Sequence, residues 1–254
     1  MTMQLGDHAP SPTAPSDAFV RHFIDSMPTS YRERFEPSTV KQHAAVSWGR
    51  RSQPVQVGRF ADGDGSGHGI CVVAKDRPGL LAAISAALSA HCLDVIRGEA
   101  HTRSASPRHR EAVDLFWVRS SGSGSEPEPV ADETIGALRA TLHDIVTRRR
   151  DVLAPPPCVA RPDRGETRVR FVDGVDGELA VLEVEADDRP GLLLAISSAL
   201  RDQKVGITSC QVSTEADRAR DRFVIREPNG TSITDRRRLS VQVAVLSAVD
   251  TPRH

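Results

Sequence analysis

The thirteen residues from Asp76 to Leu88 read DRPGLLAAISAAL, and Asp188 to Leu200 read DRPGLLLAISSAL, with two positions changed. No other segment has a clearer chemical capacity. An aspartate ahead of a helix accepts backbone N–H groups, proline fits the first turn, and glycine leaves N–H groups uncovered at the positive helix end. A small carboxylate, such as that of an amino acid, suits this spot. The same residues would also start a helix tightly against a sheet with no ligand at all, so the string alone leaves both readings open.

Other chemistry is less well supported. His101 and Thr102 end a strand where Ser213 and Thr214 stand in the second copy. That histidine could titrate near neutrality, although an ordinary surface histidine at a strand end accounts for it. The remaining histidines show no HxH or HExxH spacing, and no GxSxG marks a nucleophile, so neither metal nor cofactor is expected. Cys71, Cys92, Cys158 and Cys210 form no CxxC pair, which fits a reduced compartment better than a secreted disulfide framework. Arg148 to Arg150 complement a helix C-terminus, whereas Arg236 to Arg238 sit at a helix start and could meet an anion or lie solvated. With Lys+Arg 33 against Asp+Glu 34 and 4% aromatics, the chain has neither the charge nor the stacking residues for nucleic acid, and no bulk pull toward an anionic membrane.

The elements that must carry the turns follow from periodicity and from the repeat. Similarity extends outward from each DRPGLL: Arg59-Phe60 and Asp62-Gly63 match Arg170-Phe171 and Asp173-Gly174, and DLFWVR from Asp114 matches DRFVIR from Asp221. The repeat unit is therefore a whole domain. Val55 to Phe60 and Ile70 to Ala74 read as a hairpin, as do Thr167 to Phe171 and Leu179 to Val184. A helix with an apolar stripe follows (Leu80, Leu81, Ile84, Ala87, Leu88; Leu192, Leu193, Ile196, Ala199, Leu200). Strands are expected at Asp94 to Thr102 with Glu111 to Val118, and at Val205 to Thr214 with Arg220 to Ile225; helices at Asp132 to Val146 and Asp235 to Val249 close the copies. This ββαββα order is a ferredoxin-like βαββαβ unit with its last strand moved to the front. The expected fold class is α+β: two ferredoxin-like domains, each a four-stranded antiparallel sheet with two helices on one face, and Phe116 and Phe223 in the cores.

Residues 1–15 hold three prolines in a polar context and read as a disordered leader. Residues 16–50 form a helical N-terminal extension: Phe19, Val20, Phe23, Ile24 and Met27 recur after a Ser16 cap, and a second helix starts after Pro37 with Ser38 as cap and Val40, Ala44 and Trp48 inward. The domains span 54–147 and 167–250, the linker 148–166, and SSGSGSEPEP (120–129) is a surface loop. No apolar run approaches a membrane span and no signal peptide opens the chain, which predicts a cytoplasmic protein.

The DRPGLL turn between a core strand and a helix resembles ACT domains. The LEVEADDRPGLL core, strand ends HT or ST, and Asp114, Phe116, Val118 with Asp221, Phe223, Ile225 resemble the paired C-terminal ACT domains of the enzymes that uridylylate and deuridylylate the PII nitrogen-signalling protein. The likeness covers about residues 54–249, and MPTSYRERFEPSTVKQHA (27–44) looks like the connector before them. It implies an amino-acid-binding regulatory protein with ligand at the ACT–ACT interface, touching the turn of one domain and the second strand of the other. The implied ligand-binding residues are Asp76, Arg77, Pro78, Gly79, Leu80 and Leu81, then Asp188, Arg189, Pro190, Gly191, Leu192 and Leu193. Val95, Ile96, Ile207 and Thr208 join them from the second strands. LEVEADDRPGLL keeps the pattern more fully than CVVAKDRPGLL and directs first attention to the second turn. Nitrogen sensing makes glutamine the first ligand to test, with glycine, serine and branched-chain amino acids as alternatives. The Gly-rich loop with paired aspartates and the His-Asp metal cluster of those enzymes have no counterpart in this sequence, so a non-enzymatic tandem protein is expected. Its repeats would pair within the chain or across a homo-oligomer. Rival readings are a module that holds a partner enzyme without a small molecule, and a diverged component of PII uridylylation.

Overall fold

The computed structural model describes residues 14–62, 68–106, 109–120, 129–148, 165–173, 180–215 and 217–250. All but the last two residues of the expected leader, nearly all of the linker and most of the 120–129 loop lie outside the described residues. Three helices come first: α1 (Asp17–Ser26), α2 (Thr29–Arg34) and α3 (Pro37–Arg50). Ser16 caps α1 by accepting the Phe19 N–H at 3.3 Å. The second expected cap is displaced: α3 starts at Pro37 with Glu36 as the cap, because proline needs no N–H acceptor at the first helical position. Val40 and Ala44 are buried as expected, while Trp48 is only partly so.

The first copy comprises β1 (Val55–Ala61), β2 (His68–Lys75), α4 (Leu80–Ala90), β3 (Leu93–Ser106), β4 (His109–Ser120) and α5 (Asp132–Val146). The second comprises β5 (Arg168–Asp173), β6 (Ala180–Asp187), α6 (Leu192–Asp202), β7 (Gly206–Glu215), β8 (Arg218–Arg226) and α7 (Asp235–Asp250). The ββαββα order holds in both.

The sheets do not stay separate. All pairings are antiparallel and the strands form one eight-stranded sheet, β1-β2-β4-β3-β7-β8-β6-β5, rather than two four-stranded ones. The join is β3 on β7, from Arg97 opposite Ser213 to Ala100 opposite Cys210. Each would otherwise be an edge strand with unpaired backbone groups, and pairing the two satisfies both. Gly98 permits the close approach: a Cβ there would meet the Phe116 ring at 3.2 Å and Val212 at 3.5 Å. One core runs under the whole sheet, shared by Ile84, Phe116, Leu138, Ile196, Phe223 and Val245, with α4 in contact with both α5 and α6, and α6 with α7.

The opposite face differs between the copies. In the first, Cys71, Val73, Val113, Leu115 and Trp117 point into a second core built with Val20, Phe23, Met27, Tyr31, Val40 and Ala44 of α1–α3. β2 and β4 are consequently buried on both faces along most of their length and read as continuous apolar runs. In the second copy the positions matching Cys71, Val73, Val113 and Leu115 are Glu183, Glu185, Arg220 and Arg222. They stand in rows Arg170–Glu183–Arg222 and Arg168–Glu185–Arg220 across β5, β6 and β8. Opposite charges on facing strands attract, and Arg170 lies 2.9 Å from Glu183.

The covered face also holds polar groups. Arg50 and Arg103 converge on Glu111, each at 2.7 Å, and Arg103 donates to Ser26 and Ser47. Tyr31 Oη lies 2.7 Å from His43 Nδ1, and burial pushes the His43 imidazole down to about 3, so it is neutral. His101 is not the surface residue expected: it is 8% exposed, set edge-on to Tyr31 and 3.4 Å from Glu99, because the N-terminal helices cover the end of its strand.

Candidate functional site at the seam between the repeats

The two DRPGLL turns have one geometry. Gly79 and Gly191 occupy the left-handed region at φ 76° and 77° and form the helix N-caps without any side-chain cap. Leu80 N–H bonds Arg77 C=O at 3.3 Å and Leu192 N–H bonds Arg189 C=O at 3.1 Å. The expected capping by Asp76 and Asp188 does not occur. Glycine turns the chain in their place, and each aspartate pairs with an arginine: Asp76 with Arg110 at 3.5 Å, Asp188 with Arg119 at 3.4 Å. Arg77 and Arg189 reach back to the ends of the last helices, donating to Val146 C=O at 2.7 Å and Val249 C=O at 2.8 Å. A cation at a helix C-terminus complements its dipole, so these arginines tie α5 and α7 to the turns. Leu80, Leu81, Leu192 and Leu193 are core residues, 4–7% exposed.

The β3–β7 join sets each turn against the other copy. Under the first turn lies a cleft of about 180 Å³, lined by Asp76 to Ala82 with Val205 to Thr208 of the second copy. Ile207 and Thr208 thus meet Asp76 to Leu81. Under the second turn the space is about 30 Å³, and Asp188 to Leu194 meet Leu93, Asp94 and Val95. Ile96 lines neither cleft. The room is under the first turn, although the second keeps the fuller sequence pattern.

Each cleft also has a floor residue that the turn motif does not contain. Asp114 lines the first and Asp221 the second, each 3% exposed. Burial pushes both carboxyl groups up to about 8, helped by the negative charges of Asp76 and Asp188, against N–H bonds from His101 and Ser213. At neutral pH both are largely protonated. Their repetition at the start of DLFWVR and DRFVIR was the available signal: an aspartate at a core strand position in both copies. Arg226, which ends the second of those strings, was not foreseen as a site residue and lines the first cleft. A floor that offers a neutral carboxyl and a wall of helix-start N–H groups can hydrogen-bond a small polar molecule. Among the described residues no group of three or more His, Cys, Asp or Glu could hold a metal, and no helix is long and apolar enough to cross a membrane.

No family model matches the chain. It is 28% identical over 234 residues to a bifunctional uridylyltransferase/uridylyl-removing enzyme of Gluconobacter oxydans, covering 88% of this chain and 24% of that one. Enzymes of the same description from Xanthomonas oryzae and Caulobacter vibrioides match at 27% and 26% identity, covering 92% of this chain and 26% and 25% of theirs. Among solved structures, the trimeric bacterial microcompartment shell protein PduB overlays with a TM-score of 0.26 at 8% identity, over 79% of this chain and 92% of that one; so slight a likeness carries no argument. The chain spans about a quarter of the length of the curated relatives. Over about nine-tenths of its own length it is a homologue of one segment of the bifunctional uridylyltransferase/uridylyl-removing enzymes.

Proposed function

We propose that the chain is a non-catalytic regulatory module of the ACT type that binds an amino acid at the seam between its repeats. The strand order of each half, β1-β2-β4-β3 and β5-β6-β8-β7, is that of a ferredoxin-like unit with its last strand moved to the front, which supports the ACT reading. The observation that carries the proposal is the cleft under the first turn, where Asp76 to Leu81 face Ile207 and Thr208 across the β3–β7 join. Its walls belong to both copies, so an occupant contacts both. Such a ligand biases the packing of the repeats by its differential affinity for two arrangements. The relatives' names connect the module to uridylyl transfer, and the resemblance to PII-modifying enzymes makes nitrogen status the signal and glutamine the first ligand.

The test is a thermal-shift screen of the purified chain against all twenty amino acids at millimolar concentration. A ligand that binds only the folded state raises the melting temperature, by about 2.7 kcal/mol of added stability at a hundredfold excess over Kd. Glutamine is expected to give a shift. Silence toward all twenty would sink the reading. Incubation with PII protein and labelled UTP is expected to give no transfer, and labelled PII would overturn the non-catalytic assignment.

A further inference from the structure

The repeat places Arg226 where the first copy has Arg119, and Asp188 where it has Asp76. If the copies were equivalent, each arginine would reach across the seam to the other copy's turn. One does. Arg119 Nη2 lies 3.4 Å from Asp188 Oδ2, with both side chains at most 15% exposed, and the space beside them is about 30 Å³. On the other side Asp76 turns to Arg110 of its own copy. Arg226 lines the cleft of about 180 Å³ and, among the described residues, makes no ion pair.

A single sequence difference accounts for the contrast. Asp76 N–H bonds Arg110 C=O and Asp188 N–H bonds Asp217 C=O, so Arg110 and Asp217 hold the same place in the two copies. In the first a cation stands beside the turn aspartate and holds it. In the second that place carries a like charge, and Asp188 pairs with Arg119 across the seam.

We propose that the two clefts are inequivalent, and that the chain binds one amino acid, under the first turn, with Arg226 pairing its carboxylate. The ligand assignment rests on the functional reading above, while the inequivalence does not. The Asp188 carboxylate on Arg119 shows what group this guanidinium position takes, and planar guanidinium groups pair with carboxylates in two-pronged fashion. The open cleft has the position without the carboxylate. Thr208 Oγ1 and Arg77 Nε, both buried and without a hydrogen-bond partner, belong to residues that line the same cleft; the threonine hydroxyl can accept from an ammonium, and the arginine N–H can donate to the side-chain carbonyl of glutamine. A water needs about 10–15 Å³ measured this way, so the open cleft has room for the roughly ten non-hydrogen atoms of glutamine and the closed one does not.

The test has a ligand-free arm and a ligand arm. Urea unfolding of the full chain gives a double-mutant cycle for Arg119→Met with Asp188→Asn, and another for Arg226→Met with Asp76→Asn. Coupling is expected in the first and none in the second. Equal coupling in both would overturn the inequivalence, whatever binds. In titration calorimetry L-glutamine is expected to bind once per chain, at least tenfold more weakly in Arg226→Met and within twofold of the parent in Arg119→Met. Arg110→Asp, which copies the second repeat into the first, frees Asp76 for Arg226 and should abolish binding with a folded circular dichroism spectrum retained. Two sites per chain, or a loss confined to Arg119→Met, would refute the assignment. Silence of the parent chain toward all twenty amino acids overturns the ligand assignment together with the reading beneath it, and the coupling difference still stands or falls on the cycles.

Discussion

Asp221→Asn gives the most direct test of how the cleft floors are built. Asp221 is 3% exposed, one of its oxygens has no hydrogen-bond partner, and its carboxyl titrates at about 8 in place of the ordinary 3.8. Between those two values the folded state holds a proton that the unfolded state has lost. Stability contributed by this group is complete below the unfolded pKa and falls as pH rises, until it is gone beyond about 8. The stability contributed by the group falls by on the order of 3 kcal/mol between pH 5 and pH 7. Asparagine does not titrate in this range and keeps an oxygen for the Ser213 N–H, but it places two amide hydrogens where no acceptor waits, at a cost of about 1–3 kcal/mol. The variant is therefore less stable than the parent at pH 5, and the gap narrows by on the order of 3 kcal/mol by pH 7. Urea unfolding at pH 5, 6 and 7, extrapolated linearly to water, measures the difference. Other titrating groups cancel in the comparison. Parallel pH profiles for parent and variant would show that Asp221 ionises normally and would refute the picture of a protonated floor.

Three further substitutions probe the scaffold. Glu111→Ala leaves Arg50 and Arg103 buried without their shared carboxylate and should cost about 3–5 kcal/mol in the same urea assay. Gly79→Ala asks an L-residue to hold φ 76° and pushes its Cβ to 3.0 Å from Arg201, for a loss of about 1–2 kcal/mol; a neutral result would mean that the turn has other conformations available. Arg189→Met removes the tie to the Val249 carbonyl, and hydrogen exchange should report faster opening of α7 at a stability cost of about 1.5–3 kcal/mol.

Much of the fold is legible in the chain because two copies report on each other. The DRPGLL string, the hairpins and the closing helices recur at matching places, and every expected element of both repeats is present within a few residues of its expected bounds. The merged sheet was not legible. Pairing of β3 with β7 is decided by which edges meet in space, and four residue pairs leave no periodicity to read. Burial of the outer face of the first copy was half visible. ICVVA is apolar without alternation, whereas LEVEA alternates, and that contrast marks which copy the N-terminal helices cover. At the site, the turns could be read but the partners of their charges could not. Asp76 and Asp188 look identical in sequence, and their different pairings follow from Arg110 and Asp217, residues that lie far from the motif along the chain.

The β3–β7 join also determines how the molecule comes apart. With backbone hydrogen bonds crossing the seam and one apolar core beneath both repeats, neither repeat keeps the core beneath its own strands intact when the other is lost. Separating them would bare a fourteen-residue strand and leave half a core without its complement. Calorimetry of the intact chain should therefore give a single melting transition with equal calorimetric and van't Hoff enthalpies, the heat signature of one cooperative unit written as two copies of a sequence.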